Sequence, residues 1–213
     1  MKIIKLMPLS VCETNSYLVV SDSGNCVLID APDEADYIME QINVLGLTLK
    51  KIFLTHGHFD HIGAAADLEE ETGCEIYIHQ NDLSKLMNGD RDAARFFGLG
   101  TAKAPKKAIP ISDDDILTLD ELEFDVLHTP GHTSGSVCYI IGDSMFTGDT
   151  LFHRSIGRTD LPDGDGEAII RSLKDISELG GDLKIYPGHM QCTTLDQERH
   201  YNHYLRCVGD NMI

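Results

Sequence analysis

Seven consecutive residues constrain this chain more than any other segment. Thr55-His56-Gly57-His58-Phe59-Asp60-His61 holds four side chains able to bind a metal ion: His56, His58, Asp60 and His61. They follow an apolar run, Lys51-Ile52-Phe53-Leu54, that reads as a buried strand. On an extended chain His56 and His58, two apart, face the same side, whereas a helix would point them apart. Asp60 and His61 sit where the chain leaves the strand and can aim elsewhere, so one short loop can feed two neighbouring metals. Imidazole nitrogen with carboxylate oxygen suits zinc, iron or manganese better than magnesium or calcium.

Strand patterns open at Lys2–Met7 and recur at Tyr17–Val20 and Cys26–Ile29, and Ser23-Gly24-Asn25 makes the last two a hairpin. Ile38, Met39, Ile42 and Leu45 have helical spacing within Ala35–Leu45, and Gly46 stops that helix. After the His-rich loop the pattern predicts a helix over about 62–71, a strand at Glu75–Ile78 and a short helix at Asn81–Met87. Strands resume at Asp115–Leu119, Glu123–Leu127, Val137–Ile141 and Ser144–Phe146. A helix between Gly164 and Gly180 carries Ile169, Ile170, Leu173 and Ile176 on one stripe, and a strand at Leu183–Tyr186 precedes a helix at Leu195–Leu205. Residues 88–112 show no clear period and predict a long loop. Within it Phe96, Phe97 and Leu99 read as core side chains, a lid being the alternative.

Several strands and then helix, given twice, do not fit the strict alternation of a doubly wound parallel sheet. An α/β fold of the αββα kind does fit: two mixed sheets packed face to face with helices on the outer faces. Residues 1–213 contain no linker and no repeat, so one domain is expected.

Three more candidate ligands lie just after strands. They are His132 in Thr129-Pro130-Gly131-His132-Thr133, Asp149 in Thr147-Gly148-Asp149-Thr150, and His189 in Tyr186-Pro187-Gly188-His189. Each stands beside a glycine, which lets the backbone turn sharply and approach a site. Strand ends on one rim of a sandwich can bring all of them together. His79, His128, His153, His200 and His203 lack that setting and read as structural, although His200 and His203, three apart on a helix, could form a weak metal pair.

Thr55–His61, Pro130-Gly131-His132-Thr133, Thr147-Gly148-Asp149-Thr150 and Pro187-Gly188-His189 resemble, in order, the motifs of the metallo-β-lactamase fold superfamily. Gly148-Asp149-Thr150-Leu151-Phe152, Ile156-Gly157-Arg158-Thr159-Asp160-Leu161 and Thr193–Arg199 further resemble single-domain glyoxalase II-like hydrolases. The resemblance implies one metal on His56, His58 and His132, and a second on Asp60, His61 and His189, with Asp149 bridging. Zinc is the expected metal, with iron or manganese as alternatives. Asp30, in Leu28-Ile29-Asp30, would support the loop or a ligand imidazole. Arg158 matches a basic residue that faces substrate in glyoxalase II-like enzymes. About two dozen residues follow His189, so the helical C-terminal domain that helps hold glutathione is not expected. Asp160 stands where glyoxalase II has an aromatic contact, and Met190-Gln191-Cys192 replaces the more usual Gly-Pro.

Paired metals would lower the pKa of bound water toward ~7 and supply a hydroxide nucleophile. A metal would also stabilise the oxyanion. Outside the ligand set the motifs offer no general acid, Asp60 aside. A thiol, pKa ~8.5, can leave without one where an amine cannot. Thioester hydrolysis, on a hydroxyacylglutathione-like small molecule, therefore asks least of the site. Two divalent ions offset by Asp60, Asp149 and a hydroxide leave roughly +1, which favours an anionic substrate. The alternative is a mononuclear-iron persulfide dioxygenase, which Gly157-Arg158-Thr159-Asp160 also resembles. A non-catalytic metal-binding protein and a β-lactamase rank lower.

With 17 basic against 35 acidic residues the formal charge is −18, which argues against nucleic acid as a partner and against RNA processing. The six cysteines form no C-x-x-C pair and read as small apolar residues in a reducing cytosol, Cys26 and Cys138 most clearly. The opening residues lack the apolar stretch of a signal peptide, and no run approaches the ~20 apolar residues of a membrane span. A cytoplasmic location without membrane contact is expected.

Overall fold

Tyr17, Val19, Val27 and Ile29 point into one apolar layer while Leu18, Val20, Cys26 and Leu28 point into another. Their strands are buried on both faces, which is why the sequence reads there as continuous apolar runs rather than alternation. The computed structural model describes residues 1–209. Its first sheet has β1 (Lys2–Lys5), β2 (Tyr17–Val20), β3 (Asn25–Ile29), β4 (Thr48–Phe53), β5 (Glu75–His79) and β6 (Ile109–Ile111), side by side in that order. The second has β7 (Ile116–Leu119), β8 (Leu122–His128), β9 (Val137–Ile141), β10 (Ser144–Gly148), β13 (Lys184–Pro187) and β14 (Thr193–Thr194), likewise in order. A two-strand ribbon, β11 (Leu151–Phe152) with β12 (Ser155–Ile156), stands apart.

Phe53, Phe124, Val126, Tyr139 and Phe146 fill the layer between the sheets. Outside the first sheet lie α1 (Ala35–Val44) and α3 (Ala65–Thr72), burying Ile38, Ile42 and Leu68. Outside the second lie α6 (Gly166–Glu178) and α8 (His203–Gly209), which bury Ile169, Leu173, Ile176 and Leu205. Each such side chain contributes about 1.5–3 kcal/mol of burial. The αββα arrangement is the one expected.

Strand direction positions the site. β3 runs parallel to β4, and β10 parallel to β13. β8 is antiparallel to β9, which is antiparallel to β10, so β8 and β10 share a direction. In each sheet the strands that precede a candidate ligand therefore end on one side.

Four expectations need correction. Residues 88–112 are not one loop: after α4 (Leu83–Asn88), α5 (Arg91–Phe96) and β6 lie within them. A six-residue helix burying only Ala93 and Ala94 leaves no readable period, and Pro110 hides an edge strand. Phe96, Phe97 and Leu99 are not core but 62, 43 and 42% exposed. The helix after the metal loop starts earlier, as α2 (Phe59–Ile62) followed by α3, so Asp60 and His61 occupy a helical turn. The last helix breaks at Asn202 between α7 (Leu195–Tyr201) and α8, because the Asn202 amide donates to Phe152 O, Ser155 O and Glu198 Oε2. That break places His200 and His203 on different helices, both exposed, and removes the basis for pairing them.

Candidate metal centre

The loops after β4, β8, β10 and β13 bring all seven candidate ligands together. His56, His58 and His132 offer nitrogens within 4.8 Å of one another, and so do the ligand atoms of Asp60, His61 and His189. His58 Nδ1 and His132 Nε2 approach to 2.8 Å. Asp149 stands between the groups. Its Oδ1 lies 3.3 Å from His61 Nε2, and its Oδ2 lies 3.4 Å from both His132 Nε2 and His189 Nε2. His189 Nε2 is also 3.4 Å from Asp60 Oδ2. Two glycines allow this crowding. Gly148 takes φ 46°, and a Cβ on Gly188 would overlap Asp149 Oδ1 and meet His61 Cε1 at 2.7 Å.

Three of the rings, those of His56, His61 and His132, are aimed by a partner on the far side. Asp30, buried and at φ 56°, accepts from Thr55 N at 2.8 Å, Thr55 Oγ1 at 2.9 Å and His61 Nδ1 at 2.8 Å. Thr55 Oγ1 in turn lies 3.1 Å from His56 Nδ1. His132 Nδ1 donates to the Arg158 carbonyl at 2.7 Å, which leaves Nε2 to face the centre. The Arg158 guanidinium, expected to meet substrate, lies at the cleft rim and donates to both Asp160 carboxylate oxygens, at 2.7 and 2.8 Å.

Sequence reasoning missed several supports. Fully buried Asp82 accepts from Gly57 N at 2.8 Å and Thr133 Oγ1 at 2.7 Å, tying the first metal loop to the His132 loop. Asp90 accepts from Phe59 N at 2.9 Å, and Thr14 Oγ1 donates to Asp60 Oδ2 at 3.0 Å. The Asn15 amide donates to Pro187 O and Met190 O, both at 2.9 Å, and its N–H to Gly188 O at 2.7 Å, so it staples the His189 turn. An aspartate between a strand and a helix was the visible signal for Asp82. Asn15 and Thr14 carried none.

The residues fit a cation site. His56 Nε2, His58 Nε2, His61 Nε2 and Asp149 Oδ1 are buried without a hydrogen-bond partner. His61 Nε2 and Asp149 Oδ1 are close but lack the alignment of a hydrogen bond. Buried polar atoms are nearly always paired; His58 turns its Nδ1 to the centre, and the other three orphans, in one cluster, point to a missing ligand. Charge agrees. Burial, with His61, His58 and His132 adding to it, holds His56 well below the usual imidazole range. Burial and then His132 push His58 down to about 3. Burial acts on His61 too, but Asp149, Asp30 and Asp60 outweigh it and hold that ring well above the usual range. His189, against burial, is raised to about 10 by Asp149 and then Asp60. His56 and His58 thus offer neutral lone pairs, while His61 and His189 hold protons that a cation would replace.

Beside the centre opens a cleft of about 340 Å³ walled by Phe97, Phe152, Ile156, Leu161 and Met190. Among the described residues no helix is long and apolar enough to cross a membrane. All six cysteines are free, with Cys26 and Cys138 buried.

Fold and motif order together are those of the metallo-hydrolase superfamily. Residues 9–189 match the metallo-beta-lactamase superfamily, and the chain belongs to that family. Hydroxyacylglutathione hydrolase GloC of Haemophilus influenzae is 37% identical over 207 residues, covering 95% of this chain and 97% of that protein. The crystal structure of BLEG-1, a B3 metallo-beta-lactamase, has a TM-score of 0.89 at 32% identity and covers 96% of this chain and 99% of its own. TTHA1623 in a di-iron-bound form has a TM-score of 0.85 at 37% identity, with 94% and 99% covered.

Proposed function

We propose that this protein is a dinuclear metal hydrolase acting on thioesters. His56, His58 and His132 would hold one divalent ion, Asp60, His61 and His189 the other, and Asp149 both. Zinc suits this nitrogen and oxygen set best. The observation that carries the reading is Asp149, whose two oxygens face the two ligand groups within 3.3–3.4 Å. Metals bound there acidify water and polarise a carbonyl.

The chain's own residues do the rest. Asp30 and the Arg158 carbonyl fix the tautomer and aim of His61 and His132. Thr14 holds the Asp60 carboxylate. Asp60 and Asp149 are the two carboxylates at the cleft, and both belong to the proposed ligand set. A leaving group that needs no proton donor therefore suits the site: as the acyl carbon–sulfur bond breaks, a thiol departs with the electron pair as thiolate. The apolar wall stands beside the ligand side chains, where it can pack against the acyl group. Relatedness to a hydroxyacylglutathione hydrolase supports this substrate class.

Metal analysis coupled to a thioester hydrolysis assay tests the proposal. Two metals per chain with turnover are expected. One iron per chain, no thioester turnover, and oxygen consumption with a glutathione persulfide would overturn it in favour of the dioxygenase.

A further inference from the structure

The cleft wall says what kind of acyl group it receives. Phe97, Phe152, Ile156, Leu161 and Met190 line it, and apart from the candidate ligand histidines the single basic side chain among its lining residues is Arg158. That guanidinium is already committed: Asp160 takes two of its N–H groups, and its cation lies 5.7 Å from the Phe97 ring centre. A neutral pair has little to offer a substrate carboxylate. The apolar surface continues outside, where Phe96, Phe97 and Met190 are 62, 43 and 56% exposed. Nearby Lys103, at the adjoining hollow, is paired with Asp67 and Glu70.

We infer that the cleft selects an apolar acyl group, a short aliphatic chain or an aryl ring, over a hydroxyacyl or dicarboxylic one. The inference rests on the thioester reading above for its chemistry but on the wall alone for its selectivity. Arg158 then acts through its backbone on His132, and its side chain forms the cleft rim.

The test uses the metal-loaded protein and two probe series on N-acetylcysteamine, a small neutral thiol: thioesters for turnover and the matching S-alkyl thioethers for calorimetric binding. From two to six carbons, kcat/KM and thioether affinity should each rise about fourfold per methylene. The butanoyl thioester should outrun the 3-hydroxybutanoyl and 3-carboxypropanoyl ones. Phe97→Ala and Met190→Ala, both at exposed positions, should flatten the two slopes. Asp160→Asn, by freeing Arg158, should narrow the gap between butanoyl and 3-carboxypropanoyl. A flat thioether series, or a preference for the hydroxyacyl or dicarboxylic group, overturns the inference even if thioesters turn over. A rising thioether series without thioester turnover sustains it and overturns the hydrolase reading instead.

Discussion

Asp149 and Asp30 differ by what their oxygens face. Those of Asp149 face two groups of ring nitrogens, while those of Asp30 are filled by Thr55 and His61. Replacing them should therefore have unlike effects. Asp149→Ala is expected to lose metal and activity together, by metal analysis and thioester assay on one preparation. Asp30→Asn should keep the metal but weaken its affinity about 10–100-fold, measured by chelator competition. An Asp149→Ala variant that retained both metals would remove the bridging assignment. At this scale the sequence was most informative where residue types are chemically special. A histidine or aspartate beside glycine at a strand end has few other uses when four such loops occur in one chain. Asn15, Thr14 and Asp82 support those loops through ordinary hydrogen bonds from ordinary turn residues, with partners as much as 175 positions away. Nothing local marks such a role for Asn15 or Thr14.

At the scale of elements, strands and long helices were legible because burial forces their period. The ten-residue α1 and thirteen-residue α6 bury clear stripes. The six-residue α5 and the two-residue strands β11 and β12 gain their stability from neighbours, and so escaped detection. α6 shows how an element serves the site. Asp165 caps it by accepting from Glu167 N and Ala168 N at 2.8 and 2.9 Å, while its own N–H donates to Gly131 O at 2.8 Å. Ser172 Oγ donates to Pro130 O at 2.7 Å. The helix thus holds the His132 turn from below. Asp165→Ala should destabilise the fold by about 1 kcal/mol in chemical denaturation, and Asp165→Asn by much less. Equal losses in the two variants would show that the cap hydrogen bonds are not what the aspartate provides.

Across the whole molecule, a chain of formal charge −18 sets Asp30, Asp60 and Asp149 around His61 and His189. Without a cation, Asp149 and its neighbours keep those rings protonated, His189 up to about 10. The sign follows. Metal uptake at pH 7 must expel these protons, so affinity rises with pH and falls as acid restores them. Calorimetric titration of metal-free protein, in two buffers of different ionisation heat, should show release of more than one proton per chain. Uptake without proton release would mean that the metal binds elsewhere.

The central claim is that seven side chains from four loops hold two cations on one rim of the sandwich. Anomalous scattering from crystals of the metal-loaded protein, recorded at the metal's absorption edge, tests it most directly. Two peaks are expected on either side of Asp149, one among His56, His58 and His132, the other among Asp60, His61 and His189. A single peak, or peaks remote from Asp149, would contradict it.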